Sequence, residues 1–183
     1  MEEILKADES KLEDIFSVIS KCSAWMATEH GMNHWKNYYT REVVKEKLKY
    51  GDVYVEYLEG EAVATMTLSE EAPPYYTNNE DGPNGGTLDY TQKFPSSKLE
   101  NTKALWVSAL GVVPAHQGSG LASKLLKLAE IEAIKRGCNA IRFDSRISFT
   151  QVVNFYIHKG YQRVGTMMDG DDEYGLFEKV ITG

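Results

Sequence analysis

The sequence predicts a mixed α/β fold: one domain built on a mostly antiparallel sheet of about six or seven strands, with a central parallel pair and helices on its faces. Three observations lead there. Residues 104–145 read as strand, helix, strand, which makes the two strands parallel neighbours joined by a right-handed crossover. Hairpin patterns stand on either side, in residues 53–68 and 161–180. The chain of 183 residues supplies one full core and would be stretched to supply two.

Taken in order, "SKLEDIFSVISKCSAWMA" sets Leu12, Ile15, Phe16, Ile19 and Cys22 on one helical face behind Ser10 as N-cap. In "TREVVKEKLKYG", Thr40 caps a second helix and Gly51 stops it. "DVYVEYLEGEAVATMTLS" alternates at Val53, Val55 and Tyr57, turns at "EGE" and returns through Val63 to Leu68. Residues 70–103 break the pattern with four of the five prolines, the run "NNEDGPNGG" and the aromatics Tyr75, Tyr76, Tyr90 and Phe94. They read as a long insertion with something to pack, not as a linker. Then come strand Ala104 to Val113, helix Leu121 to Arg136 ending at Gly137, and strand Ala140 to Ser145. Helix Phe149 to His158 ends at Gly160, and strands Tyr161 to Met167 and Glu173 to Val180 close the chain around "DGDD".

Composition narrows the function classes. Net charge is −7, and no dense basic cluster stands outside mixed stretches such as "REVVKEKLK"; a nucleic-acid partner needs a basic face. No apolar run approaches a membrane span, and "MEEILKADES" is acidic where a signal peptide is basic and then apolar. A cytoplasmic location is the expectation. Cys22 and Cys138 fall in no paired motif and suit a reducing compartment.

The stretch "LGVVPAHQGSGLASKLLKLAE" carries the chemistry. Gly118 and Gly120 precede a helix whose Leu121, Leu125, Leu128 and Ala129 face a sheet while Lys124 and Lys127 stay in water. The first turn of a helix has unsatisfied N–H groups at the positive end of its dipole, and glycines let consecutive amides converge on an anion. A phosphate or pyrophosphate fits such a cradle; a plain strand-to-helix turn explains the same glycines. The Walker pattern G-x-x-x-x-G-K-[ST] is absent. "GSGLAS" has serine at the third glycine of the dinucleotide fingerprint, and four residues separate it from the strand.

"VVPAHQGSGLASKLL" resembles the signature of the GNAT N-acetyltransferase superfamily, in which [Q/R]-x-x-G-x-[G/A] opens a helix after a strand. Gln117, Gly120 and Ala122 occupy its fixed positions, and "FYIHKGYQRVG" is similar to the family's Y-x-x-x-G-[FY] about 40 residues on. The resemblance implies an acyltransferase using acetyl-coenzyme A. It places the cofactor's pyrophosphate on the amides of Gln117, Gly118, Ser119, Gly120, Leu121 and Ala122. It pairs the pantetheine arm with the backbone of Leu110, Gly111 and Val112, where glycine eases close approach. It aims Tyr156 at the sulfur to protonate the departing thiolate. By periodicity alone, Tyr156 is a core aromatic beside Val152, Val153 and Phe155.

Two departures stand out. An asparagine that relatives place seven positions before this tyrosine is Phe149 here. A glutamate that many relatives carry on the signature strand has no counterpart in "ALWVSAL". Ser108 is a candidate to orient a water in its place, and Glu70, Glu71, His30 and His34 are unplaced candidates for the base. His30 and His34 are four apart but have no third ligand, so no metal is expected; with Trp25, Trp35, Tyr38 and Tyr39 they form either a wall of the acceptor pocket or a seam between helices. The acidic Glu70, Glu71, Glu80, Asp81, Asp89 and Glu100 of the insertion, against three lysines, favour a cationic acceptor. The insertion itself is expected to shape the site for a small-molecule or peptide amine, or a homodimer contact. Two rivals remain: a non-catalytic coenzyme A-binding module, and a regulatory domain whose glycine loop takes a nucleotide.

Overall fold

The computed structural model describes residues 2–73 and 103–182. The insertion's aromatics and its acids Glu80, Asp81, Asp89 and Glu100 lie outside them. Element order is β1 (Glu2–Lys6), a 3-10 turn (Glu9–Lys11), α1 (Leu12–His30), α2 (His34–Tyr38), α3 (Arg41–Tyr50), β2 (Asp52–Leu58) and β3 (Glu61–Ser69). After the insertion come β4 (Ala104–Val112), a 3-10 turn (Pro114–His116), α4 (Leu121–Lys135), β5 (Ala140–Arg146), α5 (Thr150–His158), β6 (Gln162–Asp169) and β7 (Asp172–Val180). The strands form one mixed seven-stranded sheet in the order β1-β2-β3-β4-β5-β7-β6, with β4 and β5 parallel. The chain divides into two compact units, Met1–Ser69 with Val107–Leu128 and the described residues of Glu70–Trp106 with Ala129–Gly183.

In the first unit, β1 pairs antiparallel with β2, and β2 with β3. The β2–β3 turn puts Glu59 (φ 52) and Gly60 (φ 87) in the left-handed region, the backbone hand that matches strand twist in a two-residue hairpin. Consecutive residues of β2 point to opposite faces, and both faces are covered. Tyr57 Oη donates to Asp14 of α1 at 2.5 Å. Glu56, 0% exposed, turns the other way and accepts from Lys124 Nζ of α4 at 2.6 Å. Helix α1 buries Ile15, Val18, Ile19, Cys22 and Met26.

Two caps test the sequence reading. Thr40 caps α3 by accepting from Val43 N at 3.3 Å. Ser10 does not cap α1: a 3-10 turn precedes the helix, and Asp8 caps that turn by accepting from Ser10 N at 2.8 Å. The capping carboxylate simply lies two residues earlier.

In the second unit, β5 pairs antiparallel with β7 from Ala140↔Val180 to Arg146↔Tyr174, and β6 flanks β7. Ala104, Trp106, Ala140, Val164, Met167, Tyr174 and Leu176 form one buried cluster. A second group packs Tyr156, Tyr161 and Phe177 around Phe143, with ring centres 4.4, 4.9 and 5.6 Å away, the first two tilted and the last stacked.

Burial raises the phenols of Tyr156 and Tyr161, brings Tyr174 up to about 12, and raises Tyr57 with help from the hydrogen bond to Asp14. For each, the folded value lies above the unfolded one near 10. Their contribution is therefore fully present below that value and is lost as pH rises past it. The urea midpoint is expected to hold steady up to about pH 9 and to fall steeply by about pH 11; an unfolding series across that range checks it.

Candidate functional site

The candidate residues lie on a strand–turn–helix of the first unit and, separately, on a helix–strand segment of the second. After β4, Val113 N is tied to Val63 O at 2.9 Å, and Pro114 starts the 3-10 turn. The loop then folds on itself: Gln117 N donates to Pro114 O at 3.2 Å and Ser119 N to His116 O at 3.4 Å. Ser119 Oγ adds a bond to the same carbonyl at 2.6 Å.

Gly118 (φ 78) and Gly120 (φ 93) take left-handed conformations, which glycine adopts without a steric penalty. Among the described residues, the amides of Gly118, Gly120, Leu121, Ala122 and Ser123 have no intrachain acceptor. A Cβ built on either glycine would meet nothing within 4 Å. This is a set of amides without intrachain acceptors at a helix N-terminus, beside two exposed glycines, the arrangement that binds phosphate. Of the six amides marked in the sequence, those of Gln117 and Ser119 are spent inside the loop, and Ser123 joins the free set.

Lys124 departs from expectation. It does not simply stand in water: its ammonium reaches the fully buried Glu56, leaving the lysine side chain 40% exposed. The sequence hid this because β2 is covered on both faces, so a glutamate in an alternating strand still ends up inside.

On β4, Leu110 and Val112 are half-buried and Gly111 is buried. A Cβ on Gly111 would stand 3.2 Å from Cys22 Sγ and 3.2 Å from the Trp35 indole, so this packing accounts for the glycine. Ala109 has φ 51, a left-handed residue inside a strand, which marks a local bulge. One extra residue shifts the facing of those after it. Ser108 and Gly111, three apart and opposed in a regular strand, both meet the helices: Ser108 Oγ accepts from Lys47 Nζ of α3 at 3.0 Å. The parallel register runs Ala104↔Ala140, Leu105↔Ile141, Trp106↔Arg142 and ends there, although β4 continues through Val112 and β5 through Arg146.

In the second unit, Tyr156 sits on α5 and is 8% exposed. Its ring packs on Phe143 and lies 5.5 Å from Phe155 and 6.0 Å from Phe177. Burial first, and the Asp144 carboxylate second, raise its phenol, so the hydroxyl stays protonated and able to donate across the working pH range. Phe149 occupies the N-cap position of α5 and makes no side-chain cap bond.

The other sequence candidates scatter. Glu70 is paired with Lys103 at 2.7 Å, and Glu71 is exposed. His30 ends α1, edge-on to Trp25 at 4.7 Å, while His34 begins α2. Trp35, Tyr39 and Tyr38 form an edge-to-face series with ring centres 5.1 and 4.9 Å apart. Among the described residues, no group of three or more His, Cys, Asp or Glu is placed to hold a metal, and no helix is long and apolar enough to cross a membrane.

Comparison with curated proteins by sequence finds no match. Solved structures share the fold. An acetyltransferase of the GNAT family from Streptococcus agalactiae superposes with a TM-score of 0.76 at 17% identity, over 100% of this chain and 96% of that one. A GNAT family acetyltransferase from Listeria monocytogenes gives 0.72 at 18% identity, over 98% and 95%. The PaiA N-acetyltransferase from Thermoplasma acidophilum, solved in complex with coenzyme A, gives 0.70 at 15% identity, over 98% and 99%. The model of the acetyltransferase (GNAT) family matches residues 12–161, a span that includes the whole glycine loop and Tyr156, and the chain therefore belongs to that family.

Proposed function

We propose that residues 1–183 form one acetyl-coenzyme A-dependent N-acetyltransferase domain that transfers the acetyl group to a primary amine by direct attack in a ternary complex. The observation that carries this reading is the set of amides at Gly118 and from Gly120 to Ser123, without intrachain acceptors among the described residues, beside glycines whose Cβ positions are open. They fit a diphosphate. Acetyl-coenzyme A supplies the acyl group as an activated thioester. The backbone of Leu110–Val112 is where an amide-bearing arm would pair, because β4 there has no parallel partner in β5. Tyr156 holds a neutral hydroxyl for the sulfur. The amine must arrive or become neutral without help from β4, whose "ALWVSALGV" carries no carboxylate.

A non-catalytic coenzyme A-binding module is the second reading, favoured by Phe149 at the N-cap of α5 and by that missing carboxylate. Free-thiol release from acetyl-coenzyme A across a panel of amines, beside calorimetry of coenzyme A binding, separates the two. Binding without release for any amine would leave only the module.

The loop has its own test. In Gly120→Ala the new methyl meets no neighbour, so the effect comes from forcing an L residue to φ 93, at about 1–2 kcal/mol. Coenzyme A affinity is expected to fall about 10-fold or more as the amides turn away, with kcat at saturation changed less. Unaltered affinity would detach the loop from the cofactor.

A further inference from the structure

Where β4 runs on past its last parallel pair, the side chain drawn against it from the helices is a cation. Lys47 lies in the last turn of α3, and a lysine there ordinarily extends its head into water. Its ammonium instead donates to Ser108 Oγ at 3.0 Å and stands 5.6 Å from the centre of the Tyr39 ring. Lys47, Ser108, Tyr39 and Trp35 are all half-buried. Trp35 rests on Gly111 of the same strand and edge-on to Tyr39. A positive charge and an aromatic wall thus occupy one face of Ser108–Gly111.

We propose that Lys47 determines acceptor specificity by pairing with a carboxylate on the acceptor, so that the preferred acceptor is an amine of the α-amino-acid type with an apolar or aromatic body against Trp35 and Tyr39. This rests on the transferase reading above, with the amine approaching β4 on the side of Trp35 and Tyr39. A fixed ammonium repels a dicationic acceptor and attracts an anionic group. It also favours the neutral form of a nearby amine, since like charge disfavours protonation. That helps meet the need left by the absence of a carboxylate on β4. The preference runs opposite to the one suggested by the acidic composition of residues 70–103.

The test is kcat/KM by thiol release for matched acceptors: L-phenylalanine against phenethylamine, L-leucine against isopentylamine, and cadaverine as a dication. Wild type is expected to favour each amino acid over its decarboxylated partner by about 10- to 100-fold, the span of a charge-assisted hydrogen bond. Lys47→Met is expected to erase that preference, Lys47→Arg to keep most of it, and Lys47→Glu to reverse it toward cadaverine; coenzyme A calorimetry reports that each variant is folded. Equal or better turnover of the decarboxylated amines by wild type, or an unchanged preference in Lys47→Met, overturns the proposal and leaves the transferase standing. Thiol release with no amine at all overturns both.

Discussion

Tyr156→Phe is expected to lower kcat for acetyl transfer by about 10²- to 10³-fold, the cost of removing one hydrogen-bond donor aimed at developing charge. Coenzyme A affinity and the unfolding temperature are expected to stay close to wild type. The reasoning starts from burial. Tyr156 is 8% exposed within a group of rings, and its phenol is raised by desolvation and then by Asp144. A phenol in that state is a weaker acid than a thiol, whose usual value is about 8.5. In the proposed reaction its main contribution is therefore a hydrogen bond to sulfur as negative charge accumulates, with the attacking nitrogen as the ultimate source of the proton. No loss of rate from ionisation of this residue is expected below about pH 10. A purely structural tyrosine makes the opposite forecast, because phenylalanine fills the same ring site against Phe143 at little cost. Steady-state kinetics on wild type and variant decide it: an unchanged kcat removes Tyr156 from the chemistry.

What could be read from the sequence follows how local each feature is. The β2–β3 hairpin, the Thr40 cap and helix α4 were legible because residues a few positions apart determine them. The glycine loop was legible for the same reason, since its two glycines stand directly before an amphipathic helix. Strand β1 was not. "EEILK" is too short to show alternation, and it becomes a strand by pairing with β2. Helix α2 spans only His34–Tyr38, below the length at which periodicity shows. The bulge at Ala109 leaves no mark on an ordinary alanine. It nevertheless sets the local facing: Ser108 meets Lys47 of α3, and Gly111, three residues on, meets Cys22 of α1 and Trp35 of α2. Charge partners were the least legible: Lys124 with Glu56 and Lys47 with Ser108 join positions 68 and 61 residues apart, and only the tertiary fold selects them. Sequence thus located the glycine loop and gave little warning of the Lys47 ammonium against β4.

Glu178→Ala is expected to cost about 3–5 kcal/mol of stability, the range for removing one partner of a buried ion pair. For a chain of this size that is a fall in Tm of about 10 °C. Arg142 and Glu178 face each other across β5 and β7, 2% and 4% exposed at the side chain. Two guanidinium nitrogens, Nε and Nη2, converge on Glu178 Oε2, each at 2.8 Å, and the Trp106 ring lies 5.9 Å from the guanidinium carbon. Removing the carboxylate leaves the guanidinium buried without the anion it faces. Arg142→Met is expected to cost a similar amount by taking from the buried carboxylate the cation it faces. The double variant Arg142→Met/Glu178→Leu removes both charges and is expected to recover most of the loss, since apolar replacement of a whole buried pair is often neutral. Denaturant unfolding of the two single variants and the double variant completes the cycle; costs that simply add would mean that the two side chains do not act as a pair. Trp106↔Arg142 is also the last parallel pair of β4 and β5, so this ion pair lies at the level of the sheet where the register stops. If it fixes that end point, the single variants should also weaken coenzyme A binding, and the double variant should restore it together with stability.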